Sequence, residues 1–527
     1  MPSAPASARG MVTAPHHLAA QSGIAVLRDG GNAVEAMVAA AATIAVVYPQ
    51  MNSIGGDGFW LIGRPGKEPT GIDACGRAAH LATPDWYRER GLLAIPARGP
   101  LAANTVAGAV SGWKAALEVA GGRLPLARLL SDATAYARDG VPVTDSQVDY
   151  TTRFLHELAP QPGFAATYLR EGRPPVAGTL QRYPALADTF DQLARSGLDD
   201  FYRGELASVL AGELARLGSP LRIDDLRRHQ ASVVTPLAVE LPVGTVYNLP
   251  PPTQGLASLM ILAIFDRIRG NAEAESFAHV HGIVEATKQA FLVRNRHVCD
   301  PDFMRARADD FLSDAELSRC ARAIDVARAR PWPEPAAKGD TVWMGAIDGD
   351  GCVVSYIQSV YWEFGAGVVL AGTGVNWQNR GASFSLNPTS HVALAPGRKP
   401  FHTLNPAMAR LADGRMIAYG NMGGDGQPQS QAAIFSRYAM FGQDLQQAIS
   451  APRWLLGRTW GDMSVSLKLE RRFDPALVDA LARAGHQVEW VDAYSDLVGH
   501  AGAVVRNRDG VLTGASDPRS DGVVATW

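Results

Sequence analysis

Thr341 stands where a stretch of weak order signals gives way to a strand-like run, in Lys338-Gly339-Asp340-Thr341-Val342. A threonine hydroxyl is a weak nucleophile and needs a base. The economical source is the residue's own α-amine, freed by cutting the peptide bond in front of it, as in enzymes with an N-terminal threonine. That amine has an ordinary pKa of roughly 7.7–8.0, so a good share of it is neutral near pH 7. A flexible linker leading straight into a buried strand is a sensible place for such a cut, and cleavage is expected between Asp340 and Thr341. The same residues also read as a plain strand start. A second feature lies at Gly420-Asn421-Met422-Gly423-Gly424-Asp425-Gly426. Two successive glycine amides can converge on one point and receive negative charge, as an oxyanion hole requires, and losing one such donor costs about 3 kcal/mol. An ordinary glycine-rich turn is the other reading.

These residues need elements to hold them. Thr341 to Ile347 and Cys352 to Val360 read as a hairpin, joined by the strong turn Asp348-Gly349-Asp350-Gly351. Residues 15–30 read as a helix. Asn32 with Glu35 forms a capping-box signature for a second helix, running to about Val47. Gly55-Gly56-Asp57-Gly58 leads into a strand at Phe59 to Ile62. Residues 100–240 are mostly helical by pattern, including Ala107 to Ala120 and Pro125 to Ala137. Residues 242–248 return to strand, Pro250-Pro251-Pro252-Thr253-Gln254-Gly255 is a rigid turn, and 274–295 reads as a surface helix over a core. Residues 321–339 read as a linker. Met416 to Tyr419, 464–470 and 501–513 are further strands, with helices at 428–440 and 444–451. The whole predicts an α+β fold, two sheets sandwiched by helices.

With 527 residues and 47% hydrophobic content, the chain can bury a large core. A formal net charge of -3 with no large basic block argues against a nucleic-acid partner. The Ala/Ser/Pro-rich start lacks the basic opening and continuous apolar run of a signal peptide. Ala36 to Val47 is too short and too Ala-rich to span a bilayer. No membrane association is expected, and cytoplasm is the expected compartment. Cys75, Cys299, Cys320 and Cys352 have spacings that suit neither zinc nor a disulfide scaffold. Asp348 and Asp350 read as turn residues. His16-His17 and His279/His281 lack a convincing third ligand. No metal or organic cofactor is needed for the chemistry proposed at Thr341.

Taken together, several segments resemble the γ-glutamyltranspeptidase family of N-terminal-nucleophile hydrolases. They are Gly30-Gly31-Asn32-Ala33-Val34, Ile54-Gly55-Gly56-Asp57-Gly58-Phe59, Pro250-Pro251-Pro252, Gly423-Gly424 and the hairpin from Thr341 to Gly365. The resemblance runs from Gly10-Met11-Val12 to Asp517-Pro518-Arg519-Ser520. It implies a four-layer αββα core and a precursor that cuts itself into a large subunit, residues 1–340, and a small one, residues 341–527. It places Thr341 on the nucleophile, Ser359 on a hydroxyl that orients it, and Gly423 and Gly424 on the oxyanion donors.

The substrate clamp departs from the family. Its arginine follows an Ile-Asp-aromatic sequence; here Ile72-Asp73-Ala74 is followed by Cys75, and the nearest arginine is Arg77. An asparagine is replaced by Tyr361. An acidic residue before Phe-Ser is missing, since Ala382-Ser383 precedes Phe384-Ser385. A serine pair appears as His402-Thr403, and Gln378 retains a polar contact. A substrate ammonium buried without a carboxylate is disfavoured, although Asp57 or Asp425 could substitute. The remaining set, Tyr361, Trp362, His402 and Thr403 with Arg77 or Arg380, suits a small amide that bears a carboxylate and no amine. His402 and Arg77 also read as a core histidine and a structural ion-pair partner.

Pro49-Gln50-Met51-Asn52, Gly76-Arg77-Ala78 and Pro96-Ala97-Arg98-Gly99 resemble the oxamate amidohydrolase branch, which implies cleavage of oxamate to oxalate and ammonia. The alternatives are a glutathione hydrolase or γ-glutamyltransferase, an acylase for larger side-chain amides, and an uncleaved binding or structural relative. A homo-oligomer of the processed pair is compatible with the enzymatic readings.

Overall fold

In a computed structural model, residues 4–332, 340–457 and 464–527 are described. Two seven-stranded antiparallel sheets form its centre. One runs, in spatial order, Ala6–Ser7, Leu512–Ser516, Ala501–Arg506, Met416–Asn421, Ala407–Leu411, Gly244–Asn248 and Leu237–Leu241. The other runs Val523–Thr526, Gly10–Ala14, Asp340–Asp348, Val353–Tyr361, Asp57–Gly63, Thr70–Ala74 and Ser232–Val234. Both sheets combine strands from before and after position 340. Met11, Phe59, Trp343 and Ile357 meet Met408, Ala418 and Val504 between the sheets. Helices cover both outer faces, which makes the four-layer αββα sandwich of the expected fold class.

The central hairpin is buried on both faces, so its strands read as near-continuous apolar runs. Alternation still sorts the side chains. Val342, Met344 and Ala346 face the helical layer, while Trp343 and Ile347 face the other sheet. Thr341 shares the parity of Trp343. The Trp343 indole fits because the opposite sheet has glycines there. A Cβ on Gly420 would lie 2.1 Å from its Cδ1, and one on Gly502 would lie 2.6 Å from its Cζ3.

The helix Ala33–Val47 packs against the hairpin's outer face. Asn32 accepts from Val34 and Glu35 N–H at 3.0 Å, and Glu35 accepts from Asn32 N–H at 2.9 Å, so the capping box forms. All of its residues are buried. Its alanines let neighbouring elements approach closely.

The helix Phe277–His297 differs from the surface helix expected over 274–295. Most of its length is buried, beneath the helices Gly255–Ile268 and Gly426–Phe435. Several of its buried polar side chains meet partners distant in sequence: His279 pairs with Ser436, His281 with His486 and Arg294 with Asp425. Lys288 pairs with Glu285 one turn away on the same helix. The helix Gly255–Ile268 and the strand Leu237–Leu241 are additions that the sequence pattern did not signal. Of the linker read over 321–339, residues 333–339 lie outside the described residues. No helix among the described residues is long and apolar enough to cross a membrane.

Candidate active site

Three neighbouring strand ends gather the first candidates. The register between Asp340–Asp348 and Val353–Tyr361 slips between Asp340 and Val342, so Thr341 sits at a β-bulge. Bulges re-aim a side chain relative to a regular ladder. Thr341 is 1% exposed, and its Oγ1 lies 3.4 Å from Gln427 Nε2. On the next strand Ser359 pairs in register with Asp57. Ser359 Oγ accepts from Tyr361 N–H at 2.8 Å. That contact holds the backbone where Tyr361 takes an unusual φ of +85°.

The glycine pair arrives from the opposite sheet, just past the strand Met416–Asn421. Gly423 and Gly424 have φ of +113° and +52°, a region that strains any residue with a Cβ. Among the described residues neither of their N–H groups donates a hydrogen bond. Their carbonyls are engaged. Gly423 O accepts from Gly426 N–H at 2.8 Å, and Gly424 O accepts from Gln427 N–H at 3.2 Å. Gln254 Nε2 bridges Gly424 O at 2.8 Å and Thr403 O at 2.6 Å. Gln254 is in turn fixed by Arg294 at 2.8 Å, and Arg294 grips both oxygens of Asp425 at 3.0 Å. On the other flank Met422 N–H donates to His500 O at 3.0 Å, and Arg453 donates to Gly499 O. The loop is braced on both sides, and its two amides donate to no partner among the described residues.

A third group supplies positive charge. Arg380 is fully buried and stacks over the Tyr361 ring, 3.8 Å from its centroid. Its Nη1 donates to Thr403 Oγ1 at 3.3 Å, and its Nε and Nη2 have no partner among the described residues. Burial pulls its pKa down to about 10, against the attraction of Tyr361, Asp57 and Cys75. Nearby, Asp57 Oδ1 accepts from Gly76 N–H at 2.9 Å, Gly108 N–H at 3.0 Å and Gln378 Nε2 at 3.0 Å. His402 Nε2 lies 3.0 Å from Asp57 Oδ2, and its Nδ1 has no partner among the described residues. Burial pushes the Asp57 carboxyl up to about 7 despite these donors and Arg380. Burial, with Arg380 beside it, holds His402 well below its ordinary value, so the imidazole is neutral.

The sequence candidates therefore fall into groups. Thr341 meets Gln427; Ser359 is bonded to Tyr361, which is linked to Thr403 through Arg380; His402 and Gln378 both meet Asp57. Arg77 stands apart. Its half-exposed guanidinium donates to Gly397 O at 2.9 Å and faces Asp300 and Asp302 at 3.7 and 3.9 Å. Gln427, Gln254 and Arg294 were not singled out by sequence. Gln254, next to the proline turn, and Gln427, just past the paired glycines, are marked only by proximity to known features.

Two clusters have metal-ligand chemistry, Asp57/Cys75/His402 and His281/Glu285/His486. The second gives His281 the companions that its local sequence lacks. In the first, the Arg380 guanidinium beside it opposes a cation. In the second, Glu285 already binds Lys288 Nζ at 2.6 Å and Arg330 N–H at 3.2 Å. Both fit side-chain hydrogen-bond networks better than metal sites.

The family described as Gamma-glutamyltranspeptidase matches residues 19–527. The chain belongs to the γ-glutamyltranspeptidase family. Its relatives include the oxamate amidohydrolase proenzyme of Klebsiella pneumoniae subsp. pneumoniae, 55% identical with all of both chains covered. The glutathione hydrolase-like YwrD proenzyme of Bacillus subtilis is 39% identical over 97% of each chain. Among solved structures, a cephalosporin acylase from Bacillus halodurans superposes with a TM-score of 0.91 at 33% identity, covering 100% of this chain and 97% of that one. The γ-glutamyltranspeptidase likeness thus spans the whole fold, while its members' names differ in substrate.

Proposed function

We infer that the chain is a proenzyme cut between Asp340 and Thr341 into residues 1–340 and 341–527, and that the mature enzyme hydrolyses oxamate to oxalate and ammonia. The single observation that favours this substrate is Arg380. A buried guanidinium with two unpaired nitrogens calls for an anion, and a planar carboxylate matches its fork. No acidic side chain among the described residues lies within ion-pairing distance of it. A glutamyl head group would need a carboxylate for its ammonium as well. The Asp57 oxygens are committed to four donors and those of Asp425 to Arg294. A small amide with a carboxylate and no amine fits this charge pattern. The likeness to an oxamate amidohydrolase proenzyme points the same way.

In this reading Arg380, with Thr403 and Tyr361, anchors the substrate carboxylate. The freed Thr341 α-amine takes the hydroxyl proton as Oγ1 adds to the amide carbon. The carbonyl oxygen becomes an oxyanion on the Gly423 and Gly424 amides. Collapse breaks the C–N bond, and the nitrogen leaves as ammonia with the proton held by the α-ammonium. Water then attacks the acyl-threonine ester, with the α-amine as base, and releases the second carboxylate. Ser359 orients the nucleophile.

Denaturing electrophoresis with N-terminal sequencing should show two pieces, one beginning at Thr341, and Thr341→Ala should remain whole and inactive. Ammonia release should be faster on oxamate than on glutamine or glutathione. A glutathione rate equal to or above the oxamate rate would overturn the substrate assignment.

A further inference from the structure

The Gln427 carboxamide has one end engaged and one end stranded. Its Nε2 lies 3.4 Å from Thr341 Oγ1. Its Oε1 is buried and has no hydrogen-bond partner among the described residues. A buried acceptor left without a donor destabilises a fold, and such groups call for an explanation. Gln427 lies in the first turn of the helix Gly426–Phe435, and its own N–H is tied to Gly424 O at 3.2 Å. The segment from Gly423 to Gln427 thus carries two backbone amides that donate to no partner among the described residues, and one carboxamide that reaches the Thr341 hydroxyl.

We propose that Gln427 Oε1 accepts an N–H of the substrate's amide, and so is a catalytic residue that holds the departing nitrogen. This rests on the reading of Thr341 as the nucleophile. Oε1 and Nε2 share one carbon. The substrate nitrogen is bonded to the carbon that Thr341 Oγ1 attacks. A carboxamide with one end on Oγ1 therefore has its other end within reach of that nitrogen. As the Oγ1–C bond forms, the carbonyl electron pair moves to the oxygen facing the glycine amides, and the nitrogen becomes pyramidal. One N–H then points at Gln427 Oε1, while the nitrogen lone pair faces the Thr341 α-ammonium and takes its proton. The C–N bond breaks, its electron pair stays with nitrogen, and ammonia leaves. The substrate class narrows to amides whose nitrogen carries at least one hydrogen, because a nitrogen bearing two further carbon substituents has none to give.

The test compares oxamate with ethyl hydrogen oxalate, which delivers the same acyl group from an ester with no N–H. Gln427→Met removes the acceptor at similar volume, and should lower the ratio of amide to ester kcat about tenfold. Gln427→Glu keeps an acceptor and should hold the ratio near that of the native enzyme. A general structural fault lowers both rates together, so an unchanged ratio in Gln427→Met overturns the proposal. Failure of both variants to yield the two-chain form would place Gln427 in cleavage rather than turnover, and would overturn it equally. A native enzyme that attacks the half-ester but releases no ammonia from oxamate would instead overturn the substrate reading above.

Discussion

A guanidinium enclosed by Tyr361 and Thr403, with two nitrogens unpaired, lowers the stability of the folded chain until an anion arrives. Arg380→Met is therefore expected to raise the melting temperature and to lower kcat/KM on a carboxylated amide roughly 10- to 100-fold, mainly through KM. A calorimetric scan and a saturation curve check both halves; a variant both less stable and unchanged in KM would contradict the assignment. At this scale the sequence offers candidates where chemistry is local: the role proposed for Thr341 needs only its own amine, and that proposed for Gly423-Gly424 only adjacent amides. Charge partners are different. Arg77 and Arg380 look alike as letters, and only the fold sends one to the surface beside Asp300 and the other under Tyr361.

Elements show the same division. The helix Ala33–Val47 was legible because its capping box closes within four residues, and the hairpin because its turn is contiguous. The helix Phe277–His297 was misread because its polar side chains find partners up to 205 residues away. One element contact lends itself to a direct test. Trp343 lies two residues after Thr341 and is seated in the opposite sheet on Gly420 and Gly502. Gly420→Ala places a methyl at 2.1 Å from the indole, inside any real contact. Overpacking of this kind costs about 1–3 kcal/mol. Chemical denaturation should show that loss. Self-cleavage, followed by gel over time, should slow as the strand bearing Thr341 shifts.

For the molecule as a whole, a buried ionic network around Asp517 contributes to acid stability. Burial alone would push the Asp517 carboxyl up, but Arg453 and Arg519 outweigh it and hold the pKa below the ordinary range. Its stabilisation is thus fully present above pH 3.8 and is lost as pH falls through the depressed value. Asp517→Asn should lose about 3–5 kcal/mol at neutral pH, since it leaves buried guanidinium charge unpaired. The gap between variant and native protein should close below pH 3.8, as read by denaturation at several pH values.

The mixing of early and late strands in both sheets has a consequence for the life of the protein after maturation. The strand Asp340–Asp348 lies between Gly10–Ala14 and Val353–Tyr361, and Asp57–Gly63 follows on the far side. The cut proposed before Thr341 would leave each sheet built from strands of both pieces, and would change the order of the folding reaction. A denatured precursor recovers in a first-order process. A denatured mature enzyme must first find its complement in solution, so its recovery depends on dilution. Maturation is in this sense a one-way commitment, in which activity is gained and the capacity for unaided repair is given up.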